Sequence, residues 1–237
     1  GTHTLFVNAG NNTVQIGRAA SDGVANVKLQ VEAVDSSAGI SVHRASADTA
    51  GAALNLSSSR GASLGDDTVV QDGDDLGSIA FWGADGTDRN SPAASISGQV
   101  DGTPGGNDMP GRIVFKTTTD GGVTQTERMR IDSSGFVGIA NDSPEDFHAS
   151  ARNLVIGNSS GNSGMTFRCG TSDAGSIFFA DGTSGSAEAE GFIQYHHDNN
   201  FMIFGADNAE AFRIHANGSL SNGAETAPDT AVGLCLN

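Results

Sequence analysis

The residues of this sequence best suited to chemistry are its 6 histidines, several clustered aspartates and one close pair of glutamates. Glu188 and Glu190 stand two apart, so on a strand their carboxylates would point to one side, as a glycosidase acid and base could use. Their Gly-, Ser- and Ala-rich surroundings favour a solvated loop instead. Asp72, Asp74, Asp75 and Asp85 offer hard oxygen ligands of the kind calcium takes. They lack the ordered spacing of an EF-hand loop, and an aspartate beside glycine ordinarily caps a turn by accepting nearby amides. His196 and His197 are adjacent, so on a strand they face opposite ways and cannot act together. Trp82, Tyr195, His196 and Phe201 are the candidates for stacking on a sugar, with packing inside a shared core as the preferred reading. No serine-nucleophile elbow, H-E-x-x-H or phosphate loop is read from the sequence. The expectation is therefore a protein without catalytic residues, cofactor or metal.

Composition narrows the class. Among 237 residues, 33 are Gly and 12 are Phe, while Trp and Tyr occur once each. Much of the hydrophobic 37% is Ala. Such a chain offers little bulky surface to offset the entropy of ordering it. Its apolar residues are nonetheless grouped into short alternating runs, which argues for a fold whose core is shared among chains rather than for disorder. The formal charge of −16 excludes nucleic-acid binding, which needs clustered Lys and Arg, and opposes contact with anionic membranes. Cys169 and Cys235 belong to no C-x-x-C pair, so neither a disulfide framework nor a zinc site is expected. There is no signal-peptide pattern and no apolar run long enough to span a bilayer, which fits assembly in a reducing cytoplasm followed by release.

The elements are short strands. Alternating pairs recur at Leu5/Val7, Val14/Ile16, Leu29/Val31, Ile40/Val42, Leu54/Leu56, Ile79/Phe81, Ile113/Phe115, Met129/Ile131 and Val137/Ile139. They continue at Leu154/Ile156, Met165/Phe167, Ile177/Phe179, Ile193/Tyr195, Phe201/Ile203 and Phe212/Ile214. Asp-Gly, Asn-Gly and Ser-Gly clusters separate them, an all-β signature. One helical turn is expected after Ser143, with Pro144 first and acidic residues behind it. There is also an internal repeat. Gly77-Ser78-Ile79 and Ala84-Asp85-Gly86-Thr87 recur as Gly175-Ser176-Ile177 and Ala180-Asp181-Gly182-Thr183. Met129-Arg130-Ile131 with Gly135 recurs as Phe212-Arg213-Ile214 with Gly218. The offsets are 98 and 83 residues, so the second copy is shorter, an effect expected to come from loss of the 102–111 excursion. The domains read as 1–20, the end of a preceding repeat; 21–145, a first repeat; 146–223, a second and shorter one; and 224–237, a connector to a further C-terminal part.

The stretch from Thr126 to Ile139, Thr-Glu-Arg-Met-Arg-Ile-Asp-Ser-Ser-Gly-Phe-Val-Gly-Ile, with Pro144 beyond it, resembles the "ERMRIDSSG-x-VGI…SP" module of tailed-bacteriophage tail fibres and related virion appendages. Similar segments surround it in order over residues 36–145. They include Ile40-Ser41-Val42-His43-Arg44, Asp74-Asp75-Leu76-Gly77, Gln99-Val100-Asp101-Gly102-Thr103-Pro104-Gly105 and Met109-Pro110-Gly111-Arg112. The resemblance implies an elongated, intertwined all-β homotrimer, β-helix- or β-prism-like, built of stacked repeats. Met129 and Ile131 would then face the shared core, while Arg128 and Arg130 face outward or pair with neighbouring Asp or Glu. It implies a virion location after synthesis in the host cytoplasm, and a tail-fibre shaft supporting host attachment. The expected partners are two further copies, other fibre or tail proteins, and a host surface glycan. Relatives often end in a self-cleaving chaperone of the endosialidase type, which nothing in this sequence matches. The rival readings are a polysaccharide-depolymerising spike and a capsid-attached or non-viral extracellular fibre.

Overall fold

A computed structural model describes residues 5–8, 13–16, 29–31 and 38–223. Most of the expected 1–20 segment, all of 224–237, His3 and Cys235 lie outside the described residues. The chain divides into two compact units between Ser163 and Gly164. The repeat boundary expected after residue 145 falls inside the first unit, because the strand at residues 154–156 joins the first unit's sheet.

In the first unit β1 (Leu5–Asn8), β2 (Thr13–Ile16) and β3 (Leu29–Val31) form a small sheet, antiparallel then parallel. A larger sheet runs in chain order through β4 (Asp75–Gly83), β5 (Ser91–Val100), β6 (Gly111–Thr118), β7 (Gln125–Ile131), β8 (Val137–Ile139) and β9 (Leu154–Ile156). Its pairs are antiparallel except β8 with β9. That parallel pair needs a crossover, which residues 140–153 supply. The crossover carries the expected single turn at Pro144–Asp146, with Pro144 buried at its start. The second unit is a meander of β10 (Ala174–Phe179), β11 (Gly191–His196), β12 (Phe201–Ala206), β13 (Ala209–Ile214) and β14 (Leu220–Asn222). Among the described residues no helix is long and apolar enough to cross a membrane.

Three expected strands do not form ladders. Ile40/Val42, Leu54/Leu56 and Met165/Phe167 lie in extended chain without backbone pairing. Two strands appear where alternation gave no signal, β5 and β14. β5 reads Ser-Pro-Ala-Ala-Ser-Ile-Ser-Gly-Gln-Val and carries one bulky side chain before its last residue.

Strand by strand, the two units carry corresponding pairs. In the first, Ile79, Ile96, Phe115, Met129, Ile139 and Ile156 are successive register partners, making one apolar row across six strands. In the second, Ile177, Ile193, Phe204 and Phe212 make the matching row. Ladders slip by one residue at corresponding places, after Phe115 and after Phe204. The amide of Asp132 bonds the carbonyl of Phe136 at 3.0 Å, and the amide of His215 bonds that of Ser219 at 2.9 Å. Gly135 and Gly218 close those turns at φ 83 and 81°, where any side chain would be strained. The second copy is compressed at more than one loop. Residues 101–110 correspond to 197–200, and 119–124 to 207–208, where Asp207 and Asn208 at φ 52 and 54° make a two-residue hairpin turn.

Part of the small core lies on the opposite face of each sheet. Val114 is fully buried between its register partners Ser97 and Arg130, and Ile203 is buried between Gln194 and Arg213. In both units the arginine is held by a glutamate three residues earlier. Arg130 Nε donates to Glu127 at 2.6 Å and Arg213 Nε to Glu210 at 2.8 Å. A regular strand puts residues three apart on opposite faces. The slip in the ladder returns each Glu–Arg pair to one face, beside the buried valine or isoleucine that the arginine partners in register.

Candidate functional site

The aspartates proposed as cation ligands are occupied by other work. Asp74 is gripped by Arg60 through two bonds, Nε at 2.6 Å and Nη2 at 2.7 Å, and also accepts the Gln71 amide. The Arg60 guanidinium lowers the Asp74 carboxyl from 3.8 to about 2. Asp85 accepts the Thr87 and Asp88 amides and the Ser91 hydroxyl, which together lower it to about 2, the Thr87 amide foremost. Asp72 accepts the Gly102 amide, and Asp75 the Gln99 side-chain amide. Among the described residues no three His, Cys, Asp or Glu side chains converge as a metal site would need.

These bonds form a network that the sequence did not suggest. Gln99 links Asp75 to Arg112, whose Nη1 donates to Asp101 at 2.6 Å, and Asp101 in turn accepts the Ser133 amide at 2.7 Å. Burial pushes Asp101 up, but the Ser133 amide and Arg112 outweigh it and leave the carboxyl below its ordinary range. The ends of β4, β5, β6 and β7 are thereby tied together at one end of the sheet. Spacing alone could not reveal it, because its members come from three strands and the turns after β5 and β7.

The aromatic candidates are divided between the two units. Trp82, exposed on β4, belongs to the first unit, and Tyr195, His196 and Phe201 to the second. His196 stacks on Phe201 with centroids 4.5 Å apart, and the Arg213 guanidinium lies 4.2 Å over the same Phe201 ring. Tyr195 meets His197 edge-on at 4.9 Å and donates its hydroxyl to Asn200. His196, the last residue of β11, and His197, just beyond it, thus make separate ring contacts.

Glu188 ends a short turn at Gly185–Glu188 and Glu190 precedes β11, so the two do not share a strand face. One shallow cleft is bordered by Asp85, Ser91, Pro92, Thr118 and Asp120, and another by Glu127, Arg128, Asn141, Asp142 and Asn158. Neither includes Glu188 or Glu190. One motif corrects the sequence reading. Gly157-Asn158-Ser159-Ser160-Gly161 has G-x-S-x-G spacing, yet no helix follows it, and Asn158 accepts the Ser160 amide and hydroxyl in an exposed turn. A nucleophile elbow needs strand, turn and helix.

The most extensive unexplained surface is apolar. Ile79 is 53% exposed and Ile96 38%, and Phe81, Ile113, Ile139 and Leu154 on the same face are open as well. In the second unit Ile177 and Phe179 are exposed on the corresponding face. Soluble monomers rarely leave a continuous apolar patch of this kind uncovered.

No family model matches the chain, and no curated protein matches it in sequence. Among solved structures, the carboxy-terminal domain of the bacteriophage T5 L-shaped tail fibre is similar with a TM-score of 0.39 and 11% identity, over 82% of this chain and 94% of that one. The same domain with its intramolecular chaperone is similar with a TM-score of 0.39 and 12% identity, over 84% of this chain and 68% of that one.

Proposed function

We propose that this chain is a structural segment of a tailed-bacteriophage virion fibre, most simply a tail-fibre shaft that supports host attachment as a homotrimer. The observation that carries the reading is the apolar row from Ile79 to Ile156, open at Ile79, Ile96 and Ile139 and half-buried elsewhere, recurring from Ile177 to Phe212. Three copies turning these faces to a common axis bury what one copy leaves wet, and the polar, arginine-covered faces then meet solvent. The fibre module from Thr126 to Ile139 is built into that same row through Met129 and Ile139. Its partners are two more copies, neighbouring fibre or tail proteins, and a host surface glycan where the fibre meets the cell. The chain acts mechanically and turns over no substrate.

Light scattering tests the central claim. The expected mass is about three times 24.0 kDa. A folded monomer at micromolar concentration overturns the reading.

A further inference from the structure

Residues 38–58 form two limbs of chain outside any strand, which no ladder among the described residues takes up. Ile40 and Val42 in one limb, and Leu54 and Leu56 in the other, alternate as strand residues do, yet all four are exposed, Ile40 to 70% and Leu54 to 72%. Among the described residues no backbone group of 38–43 or 51–58 bonds another backbone group. The bend between the limbs is nevertheless fixed: Arg44 binds Asp48 through both terminal nitrogens, at 2.6 and 2.7 Å, and donates to the Ala50 carbonyl. The far limb is fixed too, because Leu56 fills the space a side chain at Gly77 would need. A pinned bend, two alternating limbs and no ladder are the parts of strand pairing without its hydrogen bonds.

Charge identifies the occupant. In a chain of −16, residues 38–42 and 49–59 carry no charged side chain; the charges that flank them in sequence are Asp35, Arg44, Asp48 and Arg60. Copies of so acidic a chain repel one another except where both surfaces are neutral. Uncharged, unguarded strands are also the ones that pair across chains. Resting on the trimeric reading above, we infer that the first limb of one copy pairs by backbone hydrogen bonds with the second limb of the next. That head-to-tail contact closes into a ring after three copies.

Hydrogen exchange on the full chain, run beside light scattering, tests this. Alternate amides within 39–43 and 52–57, those facing the partner limb, are expected to exchange about 100-fold or more slowly than in the unfolded chain. A second measurement fixes the pairing as intermolecular. With Cys169→Ser and Cys235→Ser in the background, chains bearing Ser41→Cys are co-assembled with chains bearing Ala53→Cys or Asn55→Cys. Each chain then holds one thiol, so a mixed disulfide can only join two copies. Slow exchange with a mixed disulfide in either combination sustains the inference. A trimer whose limb amides exchange freely, or one giving no mixed disulfide in both combinations, overturns it and leaves the trimer standing. A monomer overturns both.

Discussion

Ile79 and Ser78 are neighbours on β4 that point to opposite faces, and both are exposed in the single chain. For an isolated molecule, Ile79→Asp and Ser78→Asp should therefore be comparably mild, since each carboxylate reaches water. The trimeric reading separates them. Fully burying an isoleucine is worth about 1.5–3 kcal/mol, and Ile79 has roughly half of its surface still to lose. Assembly thus gains on the order of 1 kcal/mol per chain from this side chain. Ile79→Asp forfeits that gain and places an unpaired carboxylate in an apolar contact, at several kcal/mol per chain. Three such carboxylates around one axis also repel one another, an effect that added salt weakens. The combined loss is enough to dissociate a trimer at micromolar concentration, whereas Ser78→Asp should leave mass and melting nearly unchanged. Light scattering across a dilution series, with thermal melting of both variants, reads the difference. Trimeric Ile79→Asp protein with unaltered melting would show that this face is not the buried one.

Other consequences can be checked on the same material. Arg130→Ala uncovers Val114 and strands Glu127; with side-chain exposures of 12% and 24% for the pair, the expected cost is about 1–3 kcal/mol in denaturant unfolding, and Arg130→Met, which keeps the stem, should lose less. Asp74 has its folded pKa lowered from 3.8 to about 2 by Arg60, so its contribution is complete above pH 3.8 and disappears as pH falls through 2. Asp74→Asn should accordingly flatten the melting temperature between pH 4 and 2 relative to the parent, and an unchanged acid profile would contradict the bond to Arg60. Cleavage of host surface polysaccharide should be undetectable; turnover abolished by Glu188→Gln or Glu190→Gln would instead make the chain a depolymerase.

Much of the architecture was legible because its causes are local. Alternation at Ile79/Phe81, Met129/Ile131 and Phe212/Ile214 marks strands, since a half-buried sheet demands a period of two. Gly135 and Gly218 mark turns because few other residues accept a positive φ. Asp85 was read as a turn cap for the same local reason, and it is one. β5 escaped notice because its Ser, Ala and Gly side chains give no apolar rhythm; it lies in the sheet because Ser95 and Ser97 are small enough to be buried beside its neighbours. The alternation of Ile40/Val42 and Leu54/Leu56 marks limbs that find no ladder partner among the described residues of their own chain, for alternation does not supply the partner. The strand-end network through Gln99, Arg112 and Asp101 was invisible, because it joins residues from separate strands. What tertiary structure alone decided is which face of each sheet is closed. Glu127 and Arg130 are three apart and belong on opposite sides of a regular strand. Only the slipped register against β6 brings them together beside Val114, leaving Met129 and its row on the other face, half-buried or open.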